Sequence, residues 1–396
     1  MRSIMPLPQP ARKPCSAHFS SGPTKKHPGW SPSQLDQTHL GRSHRAKGPK
    51  ASLTSAIDRM AQLLALPDDY RLGIVPASDT GAVEMIMWSL FGQRGVDMLA
   101  WESFGKTWVN DAKNQLQLED LRIFDADWGA LPHLDEIDFD RDVLFTWNGT
   151  TSGVRIPNGD FIPDDRKGLT VADATSACFA MPMPWDKIDI ATFSWQKSLG
   201  GEGAHGVLIL SPRAVERLEA MPAPRALPKI FQLTKNGKLI EGIFRGDTIN
   251  TPSMLAVADL HSALDWAEKI GGLDALIARS DESLAHVKSW VATSSWVDFL
   301  AQDEATISNT SICLQICDDD VMALGQSDKA DFAKQMVTLL ADEGVAFDIG
   351  AYRTAPAGLR IWAGPTVEPD DIAALLPWLD WAFATVKDNV MTQKGA

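Results

Sequence analysis

One lysine stands out because of its neighbours. Residues 194–206 read SWQKSLGGEGAHG, in which Lys197 follows an apolar strand-like segment and precedes a run of small residues. Open α/β sheets bind their ligands where strands end. Asp173 also follows a strand-like segment, 24 residues earlier in the chain. Pyridoxal phosphate chemistry requires this combination, because a lysine forms a Schiff base with the aldehyde and a carboxylate keeps the pyridinium nitrogen protonated. Taken singly, Lys197 could still be a solvated surface lysine and Asp173 a turn residue.

The glycines after Lys197 allow a second interpretation. Gly201, Gly203 and Gly206 have the spacing G-x-G-x-x-G, which in dinucleotide-binding proteins lies between a strand and the helix N-terminus that binds the pyrophosphate. In this chain Gly206 leads directly into VLIL, a strand-like segment. We therefore do not expect a nicotinamide site, and we interpret the glycines as residues that let the backbone pass close to a bulky group.

A cofactor that carries a phosphate also needs a phosphate site. The segment PASDTG, residues 76–81, lies between a predicted buried strand and a predicted helix. Backbone N–H groups at the start of that helix, together with the hydroxyls of Ser78 and Thr80, would bind a phosphate. A simple capping turn is the alternative, and the same residues can serve both purposes.

The composition is that of an ordinary globular protein. The 396 residues are 44% hydrophobic and 22% charged, and the formal net charge of -14 argues against nucleic acid or an anionic membrane as a partner. No apolar run reaches the roughly 18 residues that a membrane span needs. The four cysteines, Cys15, Cys178, Cys313 and Cys317, lack the spacing of a metal site. So few cysteines suit a reducing compartment, and we expect a cytoplasmic protein without a bound metal.

Strand-like and helix-like segments alternate from residue 51 onward. Helical patterns cover residues 51–66 and 80–91, the second with Thr80 as its N-cap. Apolar strand-like runs begin at Leu72, Val96, Leu121, Asp142, Leu169, Ile188 and Gly206. This alternation predicts an α/β fold with a mostly parallel seven-stranded sheet that helices cover on both faces.

The pattern changes after Asn250. A long helix is predicted after Thr251 and Pro252, and it ends at Gly271 and Gly272. The remaining chain is richer in helices, with strands predicted at 312–316, 345–349 and 359–362 and a last helix at about 368–386. We therefore divide the chain into a flexible N-terminal extension (1–18), a large cofactor-binding domain (19–265) and a smaller C-terminal α+β domain (266–396).

Five short segments occur in an order and spacing that chance rarely produces. They are FSSGP (19–23), SHRAK (43–47), ADAT (172–175), QKSLGGEG (196–203) and NTPS (250–253). Read together they resemble phosphoserine aminotransferases, which are fold-type I pyridoxal phosphate enzymes. The resemblance covers the chain from about Phe19 to the C-terminal region.

The resemblance implies a role for each matching residue of the cofactor site. The matching positions are Lys197 for the Schiff base, Asp173 for the pyridine nitrogen, Thr150 for the phenolic oxygen, Phe104 for stacking on the ring, and Ser78, Asp79 and Gln196 for the phosphate. Asn250 and Thr251 match a pair that reaches the phosphate from the neighbouring subunit. The implied assembly is an obligate homodimer with shared active sites. Trp101 and Trp108 flank Phe104 and are alternative stacking residues.

Substrate anions need local cations in so acidic a chain. By the same resemblance, His44 and Arg45 would bind a substrate phosphate, Arg353 would join them, and Arg360 would bind the α-carboxylate through its guanidinium fork. The chain departs from the family pattern at Tyr352, where we expect a histidine before the arginine. The second phosphate ligand is therefore an open point of the sequence interpretation.

The implied reaction is a ping-pong transfer of the amino group from L-glutamate to 3-phosphohydroxypyruvate, which gives O-phospho-L-serine and 2-oxoglutarate. The same family resemblance extends to a phosphorylated substrate of pyridoxine biosynthesis. A related alanine- or serine-glyoxylate aminotransferase is the nearest alternative, and a catalytically inactive homologue is a further one. A cysteine desulfurase needs a mobile nucleophilic cysteine, whereas we predict that Cys313 and Cys317 both lie in the core.

Overall fold

Strands and helices alternate along the first half of the chain, as the sequence predicts. The computed structural model describes residues 7–395. Its strands are β1 (Arg71–Pro76), β2 (Val96–Ala100), β3 (Leu121–Asp125), β4 (Asp142–Thr146), β5 (Asn148–Gly149), β6 (Val154–Arg155), β7 (Thr170–Asp173), β8 (Ile190–Ser194), β9 (His205–Leu210), β10 (Thr234–Lys235), β11 (Lys238–Leu239), β12 (Val297–Phe299), β13 (Ser311–Ile316) and β14 (Gly358–Trp362). Its α-helices are α1 (Lys47–Leu63), α2 (Ser78–Leu90), α3 (Ser103–Asn114), α4 (Pro212–Ala220), α5 (Met254–Ile270), α6 (Gly272–Val291), α7 (Asp319–Met322), α8 (Gln326–Asp342) and α9 (Pro369–Gly395). Short 3-10 helices lie at Pro32–Gln34, Leu134–Glu136, Lys229–Phe231, Glu241–Arg245 and Glu304–Thr306.

The central sheet has the seven strands that the sequence predicts. Their order is β1-β9-β8-β7-β4-β2-β3, and β9 runs antiparallel to both of its neighbours while the other pairings are parallel. Side chains alternate between the two faces. In β9, for example, Val207 and Ile209 join one apolar cluster and Leu208 and Leu210 the other. The prediction of a mostly parallel sheet buried on both faces is confirmed.

The register of the sheet brings several strand ends to one edge. Thr146 at the end of β4 pairs with Asp173, and Asp173 at the end of β7 pairs with Thr192 in β8. Pro76 at the end of β1 pairs with His205 at the start of β9. Because β9 is antiparallel, its first residues share this edge with the last residues of the parallel strands.

Two helices begin earlier than predicted. α1 begins at Lys47, because Pro49 falls in the first turn, where its missing N–H costs no hydrogen bond. α2 begins at Ser78, so the prediction that Thr80 is its N-cap was wrong. The cap position is Ala77, whose φ of 67° lies in the left-handed region. At this turn the chain changes direction from β1 into α2, at the edge of the sheet where the parallel strands end.

The C-terminal part contains a separate antiparallel sheet. It has the order β12-β13-β14, helices α6 and α8 pack against it, and α9 packs on these two helices. The strands predicted at 312–316 and 359–362 are confirmed, whereas the strand predicted at 345–349 was wrong. That segment forms only isolated bridges, because the N–H of Phe347 donates to the carbonyl of Ala17 at 2.8 Å instead of to a strand of the sheet. Residue 265 lies inside α5, and the division into two domains there stays a prediction.

Part of the N-terminal extension has defined contacts. The indole N–H of Trp378 donates to the carbonyl of Arg12 at 2.8 Å, and the N–H of Cys15 donates to Asp371 at 2.6 Å. The flexibility predicted for residues 1–18 stays a prediction, and residues 1–6 lie outside the described residues. Within residues 7–395 no helix is both long and apolar enough to cross a bilayer.

The second and third glycines of the G-x-G-x-x-G segment, Gly203 and Gly206, differ in their surroundings. A Cβ on Gly206 would lie 2.2 Å from the backbone oxygen of Ser78, whereas a Cβ on Gly203 would meet no atom within 4 Å. Gly206 therefore allows β9 to approach the start of α2.

We predict that Gly206→Ala lowers the free energy of unfolding by about 1–3 kcal/mol through overpacking, as measured by urea denaturation. Gly203→Ala is the matched control and should leave the unfolding midpoint unchanged; equal effects at both positions would contradict this explanation.

Candidate active site

A cavity of about 330 Å³ opens at the edge where the strands end. It is lined by seven of the residues predicted for the cofactor site, namely Ser78, Asp79, Phe104, Thr150, Asp173, Gln196 and Lys197. These residues come from the start of α2, from α3, from the turn after β5, from the end of β7 and from the loop after β8. The fold thus brings together side chains that lie as far as 119 residues apart in the sequence.

Lys197 lies three residues beyond the end of β8, and its side chain is buried. Its ammonium Nζ donates a hydrogen bond to the carbonyl oxygen of Ser21, and it forms no ion pair with any of the described residues. Burial, followed by the positive charge of Arg360, lowers the pKa of Lys197 to about 8 from the ordinary 10.5. A larger share of this amine is therefore unprotonated near neutral pH than of a surface lysine, which makes it a better nucleophile.

The segment FSSGP and the threonine that follows it, residues 19–24, pack on the loop after β8 that carries Lys197, which we call the lysine loop. The hydroxyl of Thr24 donates to the carbonyl of Lys197 at 2.6 Å, and the N–H of Thr24 donates to the carbonyl of Gln196 at 3.0 Å. A Cβ on Gly22 would lie 2.7 Å from Nζ of Lys197. The N-terminal segment therefore closes one side of the cavity and fixes the lysine loop.

Asp173 is held by two donors at the end of β7. The indole N–H of Trp108 donates to its Oδ2 at 3.2 Å, and the N–H of Thr175 donates to its Oδ1 at 3.1 Å. The pKa of the neighbouring Asp79 is well above its usual value, because burial and then the negative charge of Asp173 both disfavour its ionised form. The site thus orients Asp173 and favours the neutral form of Asp79.

The start of α2 offers free backbone donors to the cavity. The N–H groups of Ala77 and Ser78 donate to the carbonyl of Ala204, and the N–H of Gly81 donates to Ala77. The N–H groups of Asp79 and Thr80 then remain without an intrahelical carbonyl, as is usual in the first turn of a helix. A helix N-terminus with free N–H groups attracts anions.

Several buried polar atoms at the cavity lack a partner within the described chain. They include Oγ of Ser194, Oε1 of Gln196 and Oγ1 of Thr146. Burying a polar atom without a hydrogen bond is costly, and most such atoms in proteins are paired. The cavity is therefore built to receive a polar ligand. The hydroxyl of Thr150, in contrast, donates to Oγ of Ser176 at 2.9 Å.

Two aromatic side chains of α3 form another wall. Phe104 and Trp108 are four residues apart, so they lie on the same face of the helix, and both line the cavity. Trp101 instead points away and donates its indole N–H to the carbonyl of Val154 at 3.0 Å. Sequence reasoning noted Trp108 only as an alternative to Phe104, and it missed the bond to Asp173. The spacing of four residues is the signal that could have revealed that both line one wall.

Two predicted cations lie beside the cavity. Arg360 on β14 is not in its wall, but its charge lowers the pKa of Lys197, which places the two groups near one another. Arg353 is exposed. Both guanidinium groups lie over the ring of Tyr352, at 5.5 Å for Arg360 and 5.7 Å for Arg353. Neither arginine forms an ion pair with a described residue, so both are available to an anion.

The structure does not bring the remaining predicted residues to the cavity. Arg45, Asn250 and Thr251 are exposed and His44 is partly buried, and all four lie outside the cavity lining. The prediction for Asn250 and Thr251 requires a second chain, so it stays a prediction. Elsewhere, Cys313 is buried as predicted, whereas Cys317 lies beyond the end of β13 and is exposed, so that part of the core prediction was wrong.

Solved structures of phosphoserine aminotransferases share this fold. The enzyme from Cytophaga hutchinsonii superposes with a TM-score of 0.77 at 23% identity, over 92% of this chain and 98% of that chain. A structure of the enzyme from Trichomonas vaginalis described as bound to pyridoxal phosphate superposes with a TM-score of 0.73 at 16% identity, over 92% and 99% of the two chains. At these identities the likeness shows the fold, which is that of fold-type I pyridoxal phosphate enzymes.

Sequence similarity extends along nearly the whole chain. The chain is 54% identical over 379 residues to the phosphoserine aminotransferase of Methanosarcina mazei, which covers 96% of this chain and 100% of that protein. A search against models of known protein families found no match. Identity at this level over the full length of a relative is a stronger finding than shared fold, because one fold serves many reactions. The chain therefore belongs to the phosphoserine aminotransferase family.

Proposed function

We propose that this chain transfers the amino group of L-glutamate to 3-phosphohydroxypyruvate, giving O-phospho-L-serine and 2-oxoglutarate, with pyridoxal phosphate as cofactor. One observation carries the proposal. Lys197 is buried with a lowered pKa in the same cavity as an oriented carboxylate, Asp173, in a chain that is 54% identical to a phosphoserine aminotransferase. A lysine and a carboxylate in one cavity suit this cofactor.

The residues of the cavity fit pyridoxal phosphate. Its volume of about 330 Å³ lies within the roughly 300–1,000 Å³ of small-molecule sites. The free N–H groups at the start of α2, with Ser78 and Gln196, would hold the phosphate; Phe104 would face the ring, Thr150 would contact the phenolic oxygen and Asp173 the pyridine nitrogen. When bound, the cofactor supplies an electrophilic carbon and a ring that accepts electrons.

The chain's own residues would then handle the proton and the substrate. The neutral amine of Lys197 is available to attack a carbonyl carbon and afterwards to accept the proton from Cα of the amino acid, because its pKa is near the operating pH. Asp173 would contact the pyridine nitrogen, and its two donors, Trp108 and Thr175, keep it oriented. Arg360, with no ion pair among the described residues, would bind the α-carboxylate.

Selection of a phosphorylated substrate would depend on cations from outside the cavity. We propose that His44 and Arg45, assisted by Arg353, bind the substrate phosphate, and that Asn250 and Thr251 reach the cofactor phosphate of a second chain in a homodimer. Arg45, Arg353, Asn250 and Thr251 are exposed in the single chain and His44 is partly buried. None of the five is part of the buried core, which supports this assignment. The chain has a net charge of -14, which repels an anionic substrate, so these cations would have to attract the substrate phosphate locally.

The alternatives differ in what they require. A glyoxylate-dependent aminotransferase would use Lys197 and Asp173 in the same way but would not need a phosphate site. A cysteine desulfurase needs a reactive thiolate, whereas burial raises the pKa of Cys313 to about 12 and keeps its thiol protonated.

The test of the proposed function is a steady-state assay with L-glutamate and 3-phosphohydroxypyruvate, compared with L-alanine or L-serine and glyoxylate. Faster turnover of the glyoxylate pair would overturn the substrate assignment.

Lys197 should be the site of covalent cofactor attachment. We predict that borohydride treatment of the yellow holoenzyme bleaches its visible absorbance and leaves the reduced cofactor on the peptide that contains Lys197, as measured by mass spectrometry. Lys197→Ala should carry no label. Lys113→Ala, which removes an exposed lysine of α3, is the control and should be labelled like the wild type. Label on another lysine of the wild type would refute the assignment.

The lowered pKa of Lys197 predicts a pH dependence. Only the unprotonated amine captures an aldehyde, so the rate at which apoenzyme takes up pyridoxal phosphate should rise with pH and level off above a midpoint near the lysine's pKa of about 8. Arg360→Met removes a charge that lowers this pKa, so the midpoint should move upward. Arg122→Met, at β3, is the control. A wild-type midpoint near the ordinary 10.5 would contradict the role of burial.

Arg45 should make the enzyme prefer a phosphorylated substrate over its unphosphorylated analogue. We predict that Arg45→Ala lowers kcat/KM for 3-phosphohydroxypyruvate by about 10- to 100-fold, which is the typical effect of losing one charge-assisted hydrogen bond. The value for unphosphorylated hydroxypyruvate should change by less than about 3-fold, since that substrate has no phosphate to bind. Arg42→Ala, an exposed neighbour in the same loop, is the control. Equal losses with both substrates would exclude Arg45 as the phosphate ligand.

A further inference from the structure

One buried carboxyl group near the cavity has no part in the proposed reaction. Glu102 lies between β2 and α3, its exposed fraction is 0%, and it forms no ion pair with any of the described residues. Its Oε1 accepts a hydrogen bond from the N–H of Gly105 at 2.6 Å, and its Oε2 accepts one from the hydroxyl of Thr151 at 2.7 Å. Both carboxylate oxygens are therefore used, and each contacts a different segment of the chain.

These two segments carry two walls of the cavity. Gly105 directly follows Phe104, and Thr151 directly follows Thr150, while Phe104 and Thr150 both line the cavity. The hydroxyl of Thr151 also accepts a hydrogen bond from the N–H of Ser103 at 2.9 Å. The residues on both sides of Phe104 are thus tied, through Glu102 and Thr151, to the turn that carries Thr150.

The residue type at position 102 is unusual for its local task. Glu102 is the N-cap of α3, where aspartate, asparagine, serine and threonine are the favoured residues because their short side chains reach the first N–H groups. A shorter cap would bond Gly105 but would not extend to the hydroxyl of Thr151. Gly149 leaves room for the longer stem, because a Cβ there would lie 2.9 Å from Cγ of Glu102. The additional length therefore serves the bridge between the two segments rather than the helix alone.

We propose that Glu102 is a positioning residue for the cofactor ring: its carboxylate holds the Phe104 segment and the Thr150 turn at the separation that a flat aromatic ligand requires. This inference rests on the proposed function, since the ring is that of pyridoxal phosphate. Phe104 would face the ring while Thr150 contacts its phenolic oxygen, so a change in the bridge alters how tightly and in which orientation the ring is held.

The electrostatic surroundings agree with a carboxylate that is held in place rather than one that reacts. Burial raises the pKa of Glu102 to about 7, while the bonds from Thr151 and Gly105 favour its ionised form. The charged groups that face it are Asp173, which disfavours ionisation, and Lys197 and Arg360, whose pKa values its negative charge raises. Its two oxygens accept from Gly105 and Thr151, whereas the lysine amine donates to Ser21.

Two matched substitutions separate the bridge from the cap. Glu102→Asp keeps the charge and a good N-cap but is too short for Thr151. Thr151→Val removes the hydroxyl, with its bonds to Glu102 and to the N–H of Ser103, but keeps the capping bond from Gly105 to Glu102. Ser211→Ala is the control, because Ser211 caps α4 by accepting from the N–H of Ala214 at 3.2 Å at the opposite end of β9. The readouts are the equilibrium dissociation constant of pyridoxal phosphate, the visible circular dichroism per bound cofactor, and the Tm.

We expect both Glu102→Asp and Thr151→Val to weaken cofactor binding by about 10-fold and to reduce the visible circular dichroism band. The double variant should be no weaker than the weaker single variant, since both changes break the same bridge. Ser211→Ala should lower the Tm while leaving both cofactor readouts at the wild-type value.

The outcomes distinguish this inference from the proposed function. If wild-type protein binds no pyridoxal phosphate, the proposed function and the role of Glu102 both fall. If the wild type binds it normally while Glu102→Asp and Thr151→Val keep the dissociation constant within 2-fold and the band unchanged, Glu102 is only a helix cap and this inference alone is overturned. Should Glu102→Asp fail to fold, Thr151→Val decides the question on its own, because it keeps the capping bond from the N–H of Gly105 to Glu102.

Discussion

The burial of one amine without a carboxylate partner is the constraint on which the site depends. A charged lysine in the interior is unfavourable, so its pKa falls and the neutral form becomes accessible near pH 8. An ion pair with Asp173 would stabilise the charge and remove this effect. Trp108 and Thr175 occupy the oxygens of Asp173, and Ser21 accepts the bond from Lys197. The polar surroundings thus keep the two groups apart while they share a cavity.

The sheet makes this separation possible. Asp173 ends β7 and Lys197 follows the end of β8, and the parallel pairing of these two strands brings both residues to the same edge of the sheet. The antiparallel β9 adds its first residues to the same edge, and Gly206 lets it lie against the start of α2. A helix N-terminus, a lysine loop and a carboxylate therefore meet in one cavity although no two of them are adjacent in sequence.

Local patterns predicted much of this, and contacts between distant segments account for the rest. The seven strands of the large sheet, Lys197 and Asp173 follow from apolar runs and the residues that end them. The prediction that Thr80 caps α2 was wrong because the cap residue, Ala77, adopts a left-handed conformation that no short sequence pattern indicates. The strand expected at 345–349 was wrong because its backbone pairs with Ala17, far away in the chain. Glu102 was missed because its partner Thr151 lies 49 residues away.

The most direct test of the account is the first half of the reaction alone. Purified holoenzyme is mixed with L-glutamate in the absence of any keto acid, quenched, and assayed for 2-oxoglutarate. We expect about one 2-oxoglutarate per chain, because the amino group stays on the enzyme until a second substrate arrives. We expect none from Lys197→Ala. Release of 2-oxoglutarate only after the second substrate is added, or equal release from Lys197→Ala, would contradict the central role given to this buried lysine.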